Sequence, residues 1–182
     1  MNHADHVRLI EAAVRDAGPA WADLGSGEGA FTLALAELLG DGGRIWSVDR
    51  DAAALARQEE AMRSRFPSAT VAYLDADFTR PLPLAGLDGV VMANALHFVR
   101  HKEPVLELVA RCLRPGGRFV LVEYDADVGN PWVPHPVSFT AWSELAGGVF
   151  DGTRLVRRVP SRFLGSIYSA VSLKRSHEAQ AR

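Results

Sequence analysis

The sequence predicts an α/β fold: a three-layer helix–sheet–helix sandwich with a mainly parallel seven-stranded sheet and an antiparallel last strand. Three observations predict it. Strand-like apolar runs alternate with segments of helical period, the pattern of a parallel sheet covered by helices. A glycine-rich stretch, Asp23-Leu24-Gly25-Ser26-Gly27-Glu28-Gly29, falls between the first strand and the helix that follows it. Little chain separates the last two strand-like runs, so they pair as a hairpin and bring an antiparallel element into the sheet.

The elements follow in order. From Ala4 to Ala17, Val7, Ile10, Val14 and Ala17 share one face, which predicts an amphipathic helix stopped by Gly18-Pro19. A strand from Ala20 to Leu24 leads into the glycine loop, and a helix from Ala30 to Leu39 closes at Gly40, Gly42 and Gly43. The second strand runs from Arg44 to Val48 and ends at Asp49. Helix Ala52 to Phe66 turns Leu55, Met62 and Phe66 inward, and Pro67 ends it. The third strand is Thr70 to Leu74. The fourth, Gly89 to Ala93, is apolar throughout, as expected with both faces covered. Pro104 suits the first turn of a helix reaching Leu113, and Pro115-Gly116-Gly117 turns the chain into a fifth strand, Arg118 to Glu123. A Pro- and aromatic-rich loop, Tyr124 to Pro136, precedes a short helix around Phe139 to Ala146. The final strands lie near Leu155 to Pro160 and Ser166 to Leu173.

Composition narrows the function classes. The chain has 182 residues, 48% hydrophobic and 23% charged, which suits a single folded domain over residues 1–182 with a polar, fraying tail at 174–182. A formal net charge of −2 gives no global basic field for nucleic acid. Cys112 is the single cysteine, which suits a reducing compartment. His3, Asp5 and His6 precede any apolar run, unlike a signal peptide, and no apolar run approaches the roughly 20 residues of a membrane span. A cytoplasmic location and no membrane association are therefore expected. His3 and His6 have no third ligand at matching spacing, so no metal is expected.

Glycines at a strand-to-helix turn let the backbone bend sharply and approach a ligand closely, beside the free N–H groups of the helix start. They can also be purely structural. Companions at later strand ends favour a ligand. Asp49 lies 24 positions beyond Gly25, where a carboxylate can accept hydrogen bonds from ribose hydroxyls; it could instead cap the next helix, with Asp51 as a competing cap. Asp77-Phe78 follows the third strand, where a carboxylate and a backbone N–H could read an adenine edge, or form a solvated turn before Pro81.

With these residues in view, the chain resembles class I S-adenosylmethionine-dependent methyltransferases, a family with a Rossmann-like fold. The resemblance is carried by the glycine loop, Ser47-Val48-Asp49, Asp75-Ala76-Asp77-Phe78, the run Asp88 to Phe98, and Leu113-Arg114-Pro115-Gly116-Gly117. It implies S-adenosyl-L-methionine as cofactor and S-adenosyl-L-homocysteine as product. It also implies Gly25 and Gly27 beneath the methionyl part and Asp23 near its amino group. Asp49 would hold the ribose, Asp77 and Phe78 the adenine, and Asn94 would offer a backbone carbonyl to the amino group. Ser26 and Arg50 join this implied set, and Asp75 competes with Asp77. The alternative within nucleotide binders is an NAD(P)-dependent oxidoreductase, whose fingerprint wants glycine where Ala30 stands but tolerates alanine. Gly29 and Glu28 fit the methyltransferase loop better, Glu28 being awkward beside a pyrophosphate.

Methyl transfer from a sulfonium is an in-line displacement, to which alignment alone can contribute roughly 7–11 kcal/mol. A base is needed only for a protonated acceptor. The acceptor is expected over the ends of strands four and five, near Asn94, His97, Phe98, Glu123, Tyr124 and Asp125. His97 and Tyr124 are the candidate catalytic side chains; His97 could equally be structural, and Glu123-Tyr124 could cap the strand edge. Trp132, in a loop stiffened by three prolines, is expected to pack on the core, or else to cover a substrate. Arg154, Arg157, Arg158 and Arg162 are read as protecting an edge strand. The expected partner is a small-molecule methyl acceptor, with a homodimer possible across an open site. The alternative class is a non-catalytic S-adenosylmethionine-binding module.

Overall fold

The strand order is β3-β2-β1-β4-β5-β7-β6, and it explains where the ligand-binding edge lies. The computed structural model describes residues 1–161 and 163–176; Arg162 and the tail at 177–182 lie outside the described residues. β1 (Ala20–Leu24), β2 (Arg44–Asp49), β3 (Thr70–Asp75), β4 (Leu87–Ala93) and β5 (Leu113–Tyr124) pair in parallel, so all five end at one edge. β7 (Ser166–Lys174) is antiparallel to both β5 and β6 (Phe150–Pro160), which makes it the reversed strand of the sheet. The chain order switches direction between β1 and β4, and a crevice opens at such a switch point.

Helices cover both faces. α1 (His3–Val14), α2 (Ala30–Leu39) and α3 (Ala52–Arg65) lie on one side, α4 (Glu103–Cys112) and α5 (Phe139–Gly147) on the other. Alternation along the central strands feeds both cores. Val90, Met92, Phe119 and Leu121 pack with Leu106 and Trp142, while Val91, Val120 and Val122 pack with Ile10 and Leu35. At Gly89 a side chain would collide with the Trp21 ring, so this strand position has room only for glycine. α1 opens with a reciprocal cap between Asn2 and Asp5, and the His3 ring nitrogen lies 2.7 Å from Glu37 of α2.

Three boundaries differ from the sequence reading by three residues or more. α1 stops at Val14 rather than Ala17, because Asp16 takes a left-handed φ of 60°. β5 begins at Leu113 and absorbs Pro115-Gly116-Gly117 as a bulge, since pairing jumps from Leu87↔Leu113 to Gly89↔Arg118. Proline donates no ladder hydrogen bond, and a bulge tolerates that loss. β6 starts at Phe150, five residues earlier than expected, and carries two register shifts of its own. It is the edge strand, with Arg157 donating to the Arg8 carbonyl and Arg158 paired to Asp125 at 2.7 Å.

Candidate active site

Around the carboxyl ends of β1 to β4 lies a cavity of about 430 Å³, within the roughly 300–1,000 Å³ of small-molecule sites. Gly25 and Gly27 line it from the loop after β1, and Asp49 and Arg50 from the end of β2. Ala76, Asp77, Phe78 and Thr79 line it after β3, and Asn94, Ala95, Phe98 and Val99 after β4.

The loop is fixed by hydrogen bonds rather than by packing of its own side chains. The backbone N–H groups of Gly25 and Ser26 both donate to the Val48 carbonyl, at 2.8 and 3.1 Å. Gly25 has φ +73°, and a Cβ there would lie 2.6 Å from the Ala95 Cβ and 3.1 Å from the Phe78 ring. Gly27 also has positive φ, but a Cβ there would meet nothing within 4 Å, because it faces the cavity. From α3 the buried Gln58 donates its amide to the Gly27 carbonyl at 3.2 Å.

Of the two carboxylates that compete for the helix cap, Asp51 takes it and Asp49 lines the cavity. Asp51 caps α3, accepting from the N–H groups of Ala53 and Ala54, both at 3.0 Å. Asp49 turns to the cavity, one oxygen accepting from Gly27 N–H at 2.7 Å and the other from Asp51 N–H at 2.9 Å. Asp77, not Asp75, is on the cavity wall. One Asp77 oxygen accepts from the hydroxyl and N–H of Thr79, at 2.7 and 2.8 Å, and these bonds hold its carboxyl below the usual range. Asn94 adopts a left-handed φ of 51°, and its Oδ1 is buried with no hydrogen-bond partner among the described residues.

Gly25, Gly27, Asp49, Arg50, Asp77, Phe78 and Asn94 thus share one cavity, whereas Asp23 and Ser26 stand behind it. The Asp23 carboxyl is 1% exposed and accepts from the Thr32 hydroxyl at 2.7 Å. Burial pushes its pKa up to about 7; the Thr32 hydrogen bond opposes that rise and the Asp49 charge adds to it. The Ser26 hydroxyl accepts from the Ser47 hydroxyl at 2.7 Å.

His97 and Tyr124 stand at the side of the cavity near β5. His97 is buried in a short 3-10 turn, Leu96–Phe98, with Nδ1 at 3.0 Å from both oxygens of Glu123. The same carboxylate accepts from the His97 N–H at 3.1 Å and the Tyr124 N–H at 3.0 Å. Burial, with the Glu123 charge, pushes the Tyr124 phenol up. Lys102 braces the region by donating to the carbonyls of Val99 and His135, at 2.8 and 2.9 Å. Trp132 departs from its expected core position and is 69% exposed.

The sequence reading underrated Glu123 and missed Thr32 and Gln58. Glu123 did carry a signal, a charge closing the apolar run Phe119 to Val122, since such a residue is buried only when it is paired. Thr32 and Gln58 carry none, because each acts through a partner that only the fold brings near. Among the described residues no group of three His, Cys, Asp or Glu side chains could hold a metal, and no helix is long and apolar enough to cross a membrane.

Residues 22–121, more than half of the chain, match the family described as Methyltransferase domain. The chain is 28% identical over 109 residues to the ubiquinone/menaquinone biosynthesis C-methyltransferase UbiE of Pseudomonas aeruginosa, covering 59% of this chain and 43% of that protein. The chain therefore spans less than half the length of such curated relatives. Among solved structures, the YcgJ protein of Bacillus subtilis superposes with a TM-score of 0.78 at 14% identity, covering 96% of this chain and all of that one. The 1,6-didemethyltoxoflavin-N1-methyltransferase of Burkholderia thailandensis, solved with S-adenosylhomocysteine, gives 0.75 at 19% identity, covering 96% of this chain and 78% of that one. These two likenesses concern the fold. With the glycine loop, the strand-end carboxylates and the sheet order in agreement with the family match, the chain belongs to the methyltransferase domain family.

Proposed function

We propose that the chain transfers the methyl group of S-adenosyl-L-methionine to a small-molecule acceptor, releasing S-adenosyl-L-homocysteine. The observation that carries this reading is the meeting of Gly25, Gly27, Asp49 and the unpartnered Asn94 Oδ1 around one cavity. A buried acceptor without a donor is costly, by about 1–3 kcal/mol. The methionyl ammonium would satisfy it. The sequence resemblance implied the Asn94 backbone carbonyl, and the side-chain oxygen adds a second acceptor. Asp49 keeps lone pairs free for ribose hydroxyls, Phe78 and Asp77 would flank the adenine, and Arg50 would stand at the rim. Asp23 and Ser26 would act from behind, setting the loop through Thr32 and Ser47.

Bound there, the cofactor supplies an electrophilic methyl group on a sulfonium centre. The acceptor atom bonds the methyl carbon as the carbon–sulfur bond breaks, and sulfur keeps the bonding pair. A protonated acceptor must also lose its proton. His97 would take it: Glu123 holds Nδ1, and Nε2 makes no hydrogen bond among the described residues. Such a base is worth about 10²–10⁴-fold. Tyr124, with its phenol pushed up, would serve as wall and hydrogen-bond donor rather than as base.

The names of the similar proteins, a C-methyltransferase of ubiquinone/menaquinone biosynthesis and an N1-methyltransferase of 1,6-didemethyltoxoflavin, support a small acceptor. The net charge of −2 disfavours nucleic acid, and the buried thiol of Cys112 suits the reducing cytoplasm. We read residues 1–182 as one domain. Incubating the chain with methyl-labelled S-adenosylmethionine and a panel of phenols and N-heterocycles tests the activity. Label transferred to a panel member is expected. Tight S-adenosylhomocysteine binding without turnover on any acceptor would favour a cofactor-sensing module instead.

A further inference from the structure

The open side of the cavity continues into a row of aromatic rings, of which the proposed reaction uses only His97 and Tyr124. Phe98 lines the cavity and is 63% exposed. Its ring lies 4.3 Å from that of His97, and His97 lies 6.0 Å from Tyr124. Phe163 follows at 5.8 Å from Tyr124, and Trp132 at 6.1 Å from Phe163, edge to face. We propose that this row is the acceptor subsite, and that it takes a flat, neutral aromatic molecule with an ionisable hydroxyl or ring N–H at its His97 end. The proposal rests on the methyl-transfer reading.

Four separate chain segments build the row: the turn after β4, the end of β5, the loop before α5 and the β6–β7 hairpin. Their convergence is topological, since all four lie at the edge where β1 to β5 end. Exposure of the rings is built in rather than incidental. Asn130 Oδ1 accepts from the N–H groups of Trp132 and Val133, at 2.9 and 2.8 Å, fixing a tight turn. That turn buries Val133 and leaves the Trp132 ring outside. Leaving a large apolar side chain in water forfeits the gain of burying it, and three such rings stand exposed here, those of Phe98, Trp132 and Phe163.

Spacings of 5.8–6.1 Å are those of interacting ring pairs, so the row offers faces and edges to a flat guest. Charge disfavours an anionic one. Arg158, on β6 with β7 between it and Tyr124, is already paired with Asp125 at 2.7 Å. The match to the methyltransferase family ends at residue 121, so Tyr124, Trp132 and Phe163 lie in the part of the chain that the family leaves undefined. The row continues directly from the cavity through Phe98, which favours a small acceptor over a second copy or a membrane.

The test is binding of 2-naphthol to the full chain without cofactor, measured by calorimetry and by quenching of tryptophan emission. Trp132 is the exposed tryptophan, Trp21 and Trp142 being fully buried and Trp46 of β2 partly buried against the core. Saturable binding is expected, weakened at least five-fold by Trp132→Ala and by Phe163→Ala but less than two-fold by Trp132→Phe. The saturated, non-flat analogue 2-decalinol should bind at least ten-fold more weakly. S-adenosylhomocysteine affinity, measured in parallel, should be the same in all variants. Loss of S-adenosylhomocysteine binding in the wild-type chain would sink the underlying reading instead of the row. With that binding intact, the row is overturned by three outcomes: no naphthol binding below millimolar, equal binding by the alanine variants, or equal binding of decalinol. A dimer, or uptake onto neutral lipid vesicles, that Trp132→Ala abolishes would overturn it as well, assigning the rings to a second copy or a bilayer.

Discussion

His97 and Glu123 meet across the ends of β4 and β5, with the imidazole Nδ1 at 3.0 Å from both carboxylate oxygens and both side chains buried. The same carboxylate also accepts the backbone N–H groups of His97 and Tyr124, so one side chain fixes the ring and its turn together. With Nδ1 so engaged and Nε2 without a hydrogen bond among the described residues, Nε2 is the ring atom that would receive a proton. In the proposed reaction Glu123 would act through His97, as a positioning residue.

Two variants separate that role from simple bracing. Glu123→Gln keeps the shape and one acceptor oxygen, so one of the two N–H groups stays paired, but it loses the charge. It should lower kcat at least ten-fold with cofactor Kd within two-fold of wild type. Glu123→Leu leaves two buried N–H groups unpaired and should also destabilise the chain by about 1–3 kcal/mol for each. Equal kcat in wild type and Glu123→Gln would remove the base assignment.

The two loop glycines should respond differently to alanine. At Gly27 the new Cβ meets nothing, so the cost in stability is the left-handed backbone alone, about 1–2 kcal/mol. At Gly25 the same backbone cost is joined by a collision with Ala95. Denaturant titration should find Gly25→Ala the less stable of the two, and equal losses would show that the Ala95 contact is soft.

Asp23 gives stability a distinctive pH dependence. Its folded-state pKa of about 7 exceeds the 3.8 of an unperturbed carboxyl, so the fold holds the acid protonated. The stabilising contribution is whole below pH 3.8, declines as pH rises towards 7, and is gone above. Each pKa unit corresponds to about 1.4 kcal/mol. Asp23→Asn should abolish this decline, so its stability relative to wild type should be greater at pH 8 than at pH 5 in urea titrations. An unchanged difference would place the Asp23 carboxyl in a more polar setting.

Much of the sheet was legible because its signals are local. Apolar runs such as Val90 to Met92 need no partner to be recognised, and a glycine triplet between a strand and a helix marks its own turn. The division of labour between Asp49 and Asp51 was not legible, since either carboxylate suits either task at that spacing. Pro115-Gly116-Gly117 reads as a turn in any one-dimensional view, and becomes a bulge only because β4 is there to pair on both sides of it. Trp132 was misplaced for a similar reason. Large apolar residues are normally inside, and it takes the Asn130 turn to hold this one out.

On the proposed reading, the cavity over Gly25 and Gly27 takes a nucleoside cofactor and Asp49 organises it. Calorimetric titration with S-adenosylhomocysteine of the wild-type chain and of Asp49→Ala tests it most directly. Wild type should bind saturably at micromolar concentrations, and the variant, lacking the ribose acceptor and the anchor of Gly27 N–H, should bind at least ten-fold more weakly. No wild-type binding below millimolar, or equal affinity in the variant, would contradict the account.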